Sequence, residues 1–532
     1  MAAHPPLEYD YTQQINFHAM DSIVRNCESS AFTLPGVYGA EFQSIAASIV
    51  ENHSTFVPYS NNPNSGDVDA QNLQFCNVTI THTHPGTNDK VTTKIFLPIK
   101  PTWNHRLQGI GGGGWVAGLH PVIDERMYAG LAGGYATVAT DAGVPISNIA
   151  DDWALLSPGN VNLYALQNFA SVSISDATLA AKSIIKDFYG TVPKYSYFSG
   201  CSQGGRQGIM AAQRYPDLYD GIAAAAPAIY YSQLFISAYY PQQVMSEMGR
   251  YPRPCELDAL TTAAIKACDG HDGALDGLIS NPDACQFNPY SMVGKTIDCP
   301  GATGSTVSVS EAAAKVAEAA WSGARASDGS QLWYSHGFET NLTAEECPAQ
   351  TTCSANGTCT AVPRTTWTDW IRLFVKKDAK FDARTMSRKD YEQVFLQGIR
   401  EFDSIIGTGD PDLRDFHRAG GKMITYHGMA DNGIPFRNTR HYYDAVKEIS
   451  PDVHDFFRLF EAPGLSHCTG GAGGQPFGVM DALVKWVEQG VAPDSLDAVN
   501  TVNKTNLLCP YPQRAVGNAT LGGSIAGGQS CM

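Results

Sequence analysis

Ser202 stands in Gly200-Cys201-Ser202-Gln203-Gly204, a G-x-S-x-G pattern. Before it, Tyr195-Ser196-Tyr197-Phe198 alternates like a strand; after it, Gln207 to Arg214 suits a helix ended by Tyr215-Pro216. Strand, tight turn and helix is the setting of a nucleophile elbow, in which flanking glycines relieve crowding and a serine hydroxyl stands exposed above a sheet. An idle serine in a glycine-rich turn carries the same pentapeptide, so the reading needs partners elsewhere. Two later strand ends supply them. Met423-Ile424-Thr425-Tyr426 leads into His427-Gly428-Met429-Ala430-Asp431, and the strand-like Phe456-Phe457-Arg458-Leu459-Phe460 leads into a loop holding Ser466-His467-Cys468. Serine, then acid, then histidine is the chain order of sheet-based serine hydrolases. Parallel sheets also collect reactive groups at the carboxyl ends of their strands. Asp431 and His467 are therefore the expected acid and base. Singly, each reads more blandly, as a turn aspartate and a surface histidine; their joint placement carries the case. His427 is a rival base, but it precedes the acid and reverses the order.

A serine nucleophile also needs donors for the oxyanion of its tetrahedral intermediate. The N–H after the nucleophile, that of Gln203, is one. Gly111-Gly112-Gly113-Gly114 follows an apolar strand and supplies the second, since glycine lets backbone approach a ligand closely. No Lys-Ser/Thr follows and no G-x-G-x-x-G opens a helix there, which excludes a phosphate-cradling loop. Cys201 precedes the serine and Cys468 follows the histidine. If Ser202 and His467 meet, these neighbours fall at disulfide range, with Cα atoms about 5.5–6 Å apart. A third cluster, Cys268-Asp269-Gly270-His271-Asp272-Gly273-Ala274-Leu275-Asp276-Gly277-Leu278, spaces three carboxylates with glycines. Oxygen donors so spaced suit a hard cation, although the spacing is not that of an EF-hand. A solvated acidic loop is the alternative. Cys268 and Cys285 bracket the loop and are expected to pair.

The elements that must position these groups alternate in type. Val91 to Leu97, Leu107 to Ile110 and Tyr135 to Thr140 read as strands, Ser175 to Tyr189 as a helix, and Asp220 to Ala226 as a short buried strand. This rhythm predicts a mostly parallel sheet with helices on both faces. Residues 1–90 are mixed, with Cys27 and Cys76 an expected pair. The rhythm stops near Pro227; to about Asp415 the chain reads as loop-rich, with clustered cysteines and little strand alternation. It resumes with the strand at Met423, helical stretches at Arg440 to Ile449 and Phe477 to Glu488, and the strand between them. The predicted architecture is one catalytic domain, residues 1–228 and 416–532, interrupted by an insertion at 229–415. A chain of 532 residues, 43% hydrophobic and 10% aromatic, can build such a core. A net charge of -16 disfavours nucleic acid and anionic membrane as partners, and no apolar run approaches a membrane span. Thirteen cysteines and sequons at Asn52, Asn77, Asn341, Asn356, Asn503 and Asn518 point to a secreted, disulfide-bonded glycoprotein. Met1-Ala2-Ala3-His4 opens no signal peptide, so the start reads as a processed form.

Taken together, Gly200-Cys201-Ser202-Gln203-Gly204-Gly205-Arg206, Tyr426-His427-Gly428-Met429-Ala430-Asp431 and Gly464-Leu465-Ser466-His467-Cys468-Thr469-Gly470-Gly471 resemble the tannase and feruloyl esterase family. That family also holds the bacterial mono(2-hydroxyethyl) terephthalate hydrolase. The likeness runs from about Cys27 to Cys531. It implies an α/β-hydrolase fold with a lid domain inserted after the elbow, Ser202 as nucleophile, His467 as base, Asp431 as its orienter and a Cys201–Cys468 disulfide. It places the second oxyanion donor at Gly114, with Gly113 the nearest rival. It assigns the acidic loop to structural calcium, held by Asp269, Asp272, Asp276 and the carbonyls of Ala274 and Leu278. Cys509 and Cys531 are expected to pair. Cys255, Cys299, Cys347, Cys353 and Cys359 stay unassigned, one of them necessarily odd, and the segment from Ser310 to Asp403 matches the family poorly. The implied activity is hydrolysis of small phenolic esters, ferulic or related hydroxycinnamic, with gallate esters or another aryl ester as alternatives. A non-catalytic binding protein on the same fold and a metal-dependent hydrolase are the readings from other classes. Oligomeric state is left open.

Overall fold

The computed structural model describes residues 26–300, 305–354, 357–500, 505–517 and 529–532. The sequons at Asn356, Asn503 and Asn518 lie outside them, while Asn52 and Asn341 are exposed and Asn77 is half-buried. A nine-stranded sheet organises the chain. Its strands are β1 (Glu41–Val57), β2 (Val68–Thr83), β3 (Val91–Lys100), β4 (Arg106–Ile110), β5 (Ala136–Thr140), β6 (Tyr195–Cys201), β7 (Gly221–Ala225), β8 (Lys422–Gly428) and β9 (Phe457–Ala462), in the order β1-β2-β3-β5-β4-β6-β7-β8-β9. From β5 onward every neighbour is parallel. The β1–β2, β2–β3 and β3–β5 pairs are antiparallel, so the sheet is mixed at its amino-terminal side. The sequence reading missed β1 and β2 altogether. They form a long edge hairpin, and β1 buries only Phe42 and Val57, which leaves little hydrophobic alternation to see.

Helices cover both faces. On one, α2 (Ser173–Tyr189), α3 (Gln203–Arg214) and α9 (Phe436–Ile449) pack Ile174, Ile209, Tyr442 and Val446 against Phe198, Ile222, Met423 and Leu459. On the other, α10 (Val479–Gln489) sets Val479, Leu483 and Trp486 against Tyr197, Ala223, Ile424 and Phe460. There α1 (Pro121–Ala132) covers Phe96 and Ile110 with Ile123, Met127 and Leu131. Adjacent residues such as Tyr197 and Phe198 thus serve opposite faces, as the period of two requires.

Between β7 and β8 the chain leaves the sheet and adds no strand to it. This stretch is not the loop-rich segment its sequence predicts. It holds α4 (Tyr231–Ala238), α5 (Tyr240–Met248), α6 (Pro254–Cys268), α7 (Glu311–Ser322) and α8 (Arg388–Phe402), built round a core that includes Leu234, Leu257, Trp367, Trp370, Phe374 and Tyr391. Every residue of α4 is buried, so no polar face marks its period. Trp115, just past the glycine run, is buried in this same core and stacks on Phe374, 5.2 Å between ring centroids. Six disulfides close the described chain: Cys27–Cys76, Cys201–Cys468, Cys255–Cys299, Cys268–Cys285, Cys353–Cys359 and Cys509–Cys531. Cys347 is the odd cysteine and is buried.

Candidate active site

Ser202 sits between β6 and α3 with φ 64° and ψ −123°, a left-handed conformation strained for a residue with a side chain. Strain of this kind persists only where the surroundings over-determine it. Here the Ser202 N–H donates to the Ala225 carbonyl at 3.1 Å, and its own carbonyl accepts from Arg206 at 3.0 Å and Ala228 at 3.1 Å. Three glycines in α3 would each weaken an isolated helix by about 1 kcal/mol relative to alanine. Packing demands them. A Cβ on Gly204 would lie 2.8 Å from the Gly112 carbonyl oxygen, one on Gly205 2.4 Å from the Ala225 oxygen, and one on Gly208 2.8 Å from Ile222.

His467 and Asp431 meet this turn. Ser202 Oγ lies 3.0 Å from His467 Nε2, and His467 Nδ1 lies 2.8 Å from Asp431 Oδ2. Asp431 is buried, and its Oδ1 accepts from the backbone N–H groups of Gly433 and Ile434, both at 2.7 Å. Burial alone would raise its carboxyl. The His467 imidazole, helped by His427 and by the hydrogen bonds of both, outweighs burial and holds it well below the usual range. His427 lies behind the acid: its Nε2 is 3.2 Å from Asp431 Oδ2 and 3.0 Å from the Ile434 carbonyl, and its Nδ1 is 2.8 Å from Thr439 Oγ1. It buttresses the carboxylate rather than facing the serine. His336, from the insertion, reaches the Asp431 carbonyl with Nδ1 at 3.2 Å, and burial lowers its pKa to about 4.

The glycine run packs against the elbow, and its N–H groups divide cleanly. That of Gly111 donates to Ser199, that of Gly112 to Gln207 Oε1, that of Gly113 to Val116, and that of Trp115 to Asn148 Oδ1. Among the described residues the Gly114 N–H meets no acceptor, and Gly114 has a left-handed φ of 58°. The Gln203 N–H is the first of α3, one of the four that a helix leaves without an internal partner. Sequence reasoning did not find the side chains that brace this loop. Gln207 grips it from α3, with Nε2 donating to Ala117 at 2.8 Å, and Asn148 holds it from the other side. Both are polar residues with no motif to mark them.

The Cys201–Cys468 bond, with Cα atoms 6.0 Å apart, ties the serine strand to the histidine loop. That loop has further anchors. Tyr426 Oη donates to the Cys468 carbonyl at 3.1 Å, and Ser466 Oγ to Asn432 Oδ1 at 3.0 Å. Glu339 reaches it from the insertion, accepting from the Gly464 N–H at 3.2 Å with one oxygen and from the Ile279 N–H at 2.7 Å with the other. Burial pushes the Glu339 carboxyl up to about 7 against these two bonds. Ile279 directly follows the acidic loop. In that loop Asp269 Oδ1 accepts from Asp276 and Gly277, Asp272 Oδ1 from Ala274, and Asp276 Oδ1 from Leu278. Asp272, Ala274, Asp276 and Leu278 line one small cavity of about 50 Å³.

The chain matches the sequence profile described as tannase and feruloyl esterase over residues 76–529. It is 37% identical over 505 residues to a probable feruloyl esterase of Arthroderma benhamiae, covering 92% of this chain and 90% of that one. A tannase of Aspergillus oryzae is 28% identical over 508 residues, 85% of each chain. A solved tannin acyl hydrolase from Aspergillus niger superposes with a TM-score of 0.83 at 27% identity, covering 96% of this chain and 94% of that one.

Proposed function

The chain belongs to the tannase and feruloyl esterase family, carboxylic ester hydrolases of the α/β-hydrolase fold, and on that premise we propose that Ser202 is the nucleophile of a serine esterase acting on phenolic esters. The observation that carries the reading is the hydrogen-bonded chain Ser202–His467–Asp431, at 3.0 and 2.8 Å on the strained turn. His467 Nε2 takes the Ser202 proton as Oγ attacks the ester carbonyl, and Asp431 holds Nδ1–H and steadies the imidazolium. The N–H groups of Gln203 and Gly114 receive the oxyanion; Gly114 is preferred to Gly113 because the Gly113 N–H is already committed to Val116. His467 returns the proton to the leaving alcohol, and water then releases the acid from the acyl-enzyme.

The preferred acyl group is ferulic or a related hydroxycinnamic acid, after the feruloyl esterase at 37% identity. Gallate is the second reading, favoured by the tannase and by the tannin acyl hydrolase superposition. Residues 229–415 act in this reading as a lid that chooses the substrate. The acidic loop fits structural calcium. Its donors are all oxygen, three carboxylates from Asp269, Asp272 and Asp276 with the carbonyls of Ala274 and Leu278, and four of these residues share one cavity. The ion would stiffen the lid and stay out of the chemistry. Secretion is supported by twelve of thirteen cysteines being paired.

Labelling by a fluorophosphonate, with Ser202→Ala as control, separates this reading from its rivals. The wild type is expected to label once, and the variant not at all, with kcat lower by roughly 10⁴ or more and the fold intact. Full turnover in the variant overturns the assignment; turnover abolished by chelator without serine labelling favours a metal-dependent hydrolase. Initial rates on methyl ferulate, methyl caffeate, methyl sinapate and methyl gallate then decide the acyl group.

A further inference from the structure

The end of β2 and the first turn of α2 bring together three residues that the esterase does not use. One ligand atom each from His82, His84 and Asp176 lies within 4.8 Å of the other two. His82 is fully buried beside Phe42, 4.8 Å between ring centroids, and neither of its ring nitrogens has a hydrogen-bond partner. Its Nε2 stands 3.9 Å from Asp176 Oδ2, too far for a hydrogen bond and near enough to share an ion. His84 Nε2 approaches that same oxygen at 2.9 Å, while His84 Nδ1 meets Asp89 Oδ2. Asp89 is itself fixed by Thr83 Oγ1 at 2.9 Å, the His84 N–H at 2.7 Å and Asn168 Nδ2 at 2.7 Å. A carboxylate on the far nitrogen of an imidazole, itself held by hydrogen bonds, is how proteins fix a histidine tautomer and aim the other nitrogen at a metal.

We propose that His82 Nε2, His84 Nε2 and Asp176 Oδ2 form a site for a divalent transition-metal ion, with zinc the best fit, and that Asp89 orients His84. Two imidazoles and a carboxylate are donors that zinc accepts at about 2.0–2.2 Å, which puts tetrahedral donors roughly 3.3–3.5 Å apart. Two of the three donor separations, 2.9 and 3.9 Å, bracket that spacing, and the third is no more than 4.8 Å, so a small closure of the two rings completes the site. Zinc would displace the proton shared between His84 Nε2 and Asp176 Oδ2, which leaves to solvent. Asp89 and Asp176 would offset the charge of the dication, and water would fill the fourth position. A plain hydrogen-bonded network with His84 bridging two carboxylates satisfies His84 but leaves both nitrogens of His82 without a partner, whereas the ion takes His82 Nε2. The ion would tie the edge hairpin to α2.

The test uses full-length protein, stripped with chelator, saturated with calcium so that the acidic loop is occupied, and titrated with zinc against a chromophoric chelator. One equivalent bound more tightly than about 10 µM is expected, with an anomalous peak at the zinc edge between the three residues in crystals. Weaker binding, or a peak elsewhere, overturns the proposal. Asp89→Asn, which alters the group that orients a ligand, is expected to weaken zinc roughly 10–100-fold, and His82→Phe, which keeps an apolar ring beside Phe42 but removes a ligand, to weaken it further; unchanged affinity in either variant counts against the site. The wild-type titration and the anomalous peak decide the matter even if a variant does not fold.

Discussion

Five polar contacts of the candidate active site converge on Asp431: two backbone N–H groups on one oxygen, two imidazoles on the other, and His336 on its carbonyl. Its folded carboxyl is held below the value near 3.9 expected of an unfolded aspartate. Such a group adds stability that is present above about pH 4 and lost as pH falls through the folded value. Asp431→Asn is therefore expected to be less stable than the wild type at pH 5, with the gap narrowing toward pH 2.5. Urea midpoints at the two pH values measure it, and a gap that stays constant refutes the claim. The same variant is expected to lower kcat on the order of 10³–10⁴-fold, because an amide favours the wrong tautomer of His467.

The elements around the turn are packed to backbone contact, which makes them sensitive to single atoms. A Cβ on Gly200 would sit 2.4 Å from the Gly204 carbonyl carbon, where only backbone movement can relieve it. Gly200→Ala is expected to cost about 1–3 kcal/mol and to lower kcat, since Ser202 is two residues away. A thermal melt within a degree of the wild type together with unchanged turnover would show that the turn yields. The Cys201–Cys468 bond spans 267 positions. In the loop-closure view its removal costs roughly 4–5 kcal/mol, but its effect on the native site is separable. The histidine loop rests on Glu339, Tyr426 and Ser466 as well, yet only the disulfide joins it covalently to the serine strand. An imidazole displaced by about 1 Å can cost roughly a hundredfold in rate. Cys201→Ala with Cys468→Ala is thus expected to lower kcat strongly even when assayed well below its melting temperature. Full kcat in the cold would make the bond a staple for stability alone.

Across the whole molecule, the insertion meets the rest of the chain at several places, His336 on the Asp431 carbonyl and two others among them. Trp115 carries the glycine run into the insertion's aromatic core, and Glu339 bridges the residue after the acidic loop and the loop that bears His467. A cation in the acidic loop should accordingly stabilise the assembly from a distance. Chelation is expected to lower the melting temperature by a few degrees, in line with about 2.7 kcal/mol lost when a ligand at 100 times its Kd is withdrawn. Activity at 20 °C should survive. Metal analysis that finds no calcium in native protein, or a melting curve indifferent to chelator, sinks this reading.

What the sequence determined by itself is what local chain order can encode. Ser202 follows its short buried strand directly, and Asp431 and His467 lie on the loops that leave the strands ending at Gly428 and Ala462; parallel strands carry such loops to the same edge of the sheet, so motif and order pointed to three residues that the structure brings together. Cys201 and Cys468 were found by adjacency to two of those residues. Only the tertiary structure decided the rest. The five unassigned cysteines of the insertion admit many pairings; packing brings Cys255 to Cys299, 44 positions away, a short antiparallel hairpin sets Cys353 opposite Cys359, and Cys347 is left over. The edge strand β1 was invisible because it buries little, and α4 because a helix buried all round has no period; β2 does alternate, burying Val78, Ile80 and His82, but threonines and a histidine dilute its apolar pattern. Gln207, Asn148, Glu339 and His336 act on backbone groups far away in sequence, and a hydrogen bond to a distant carbonyl or N–H leaves no pattern in the chain that makes it.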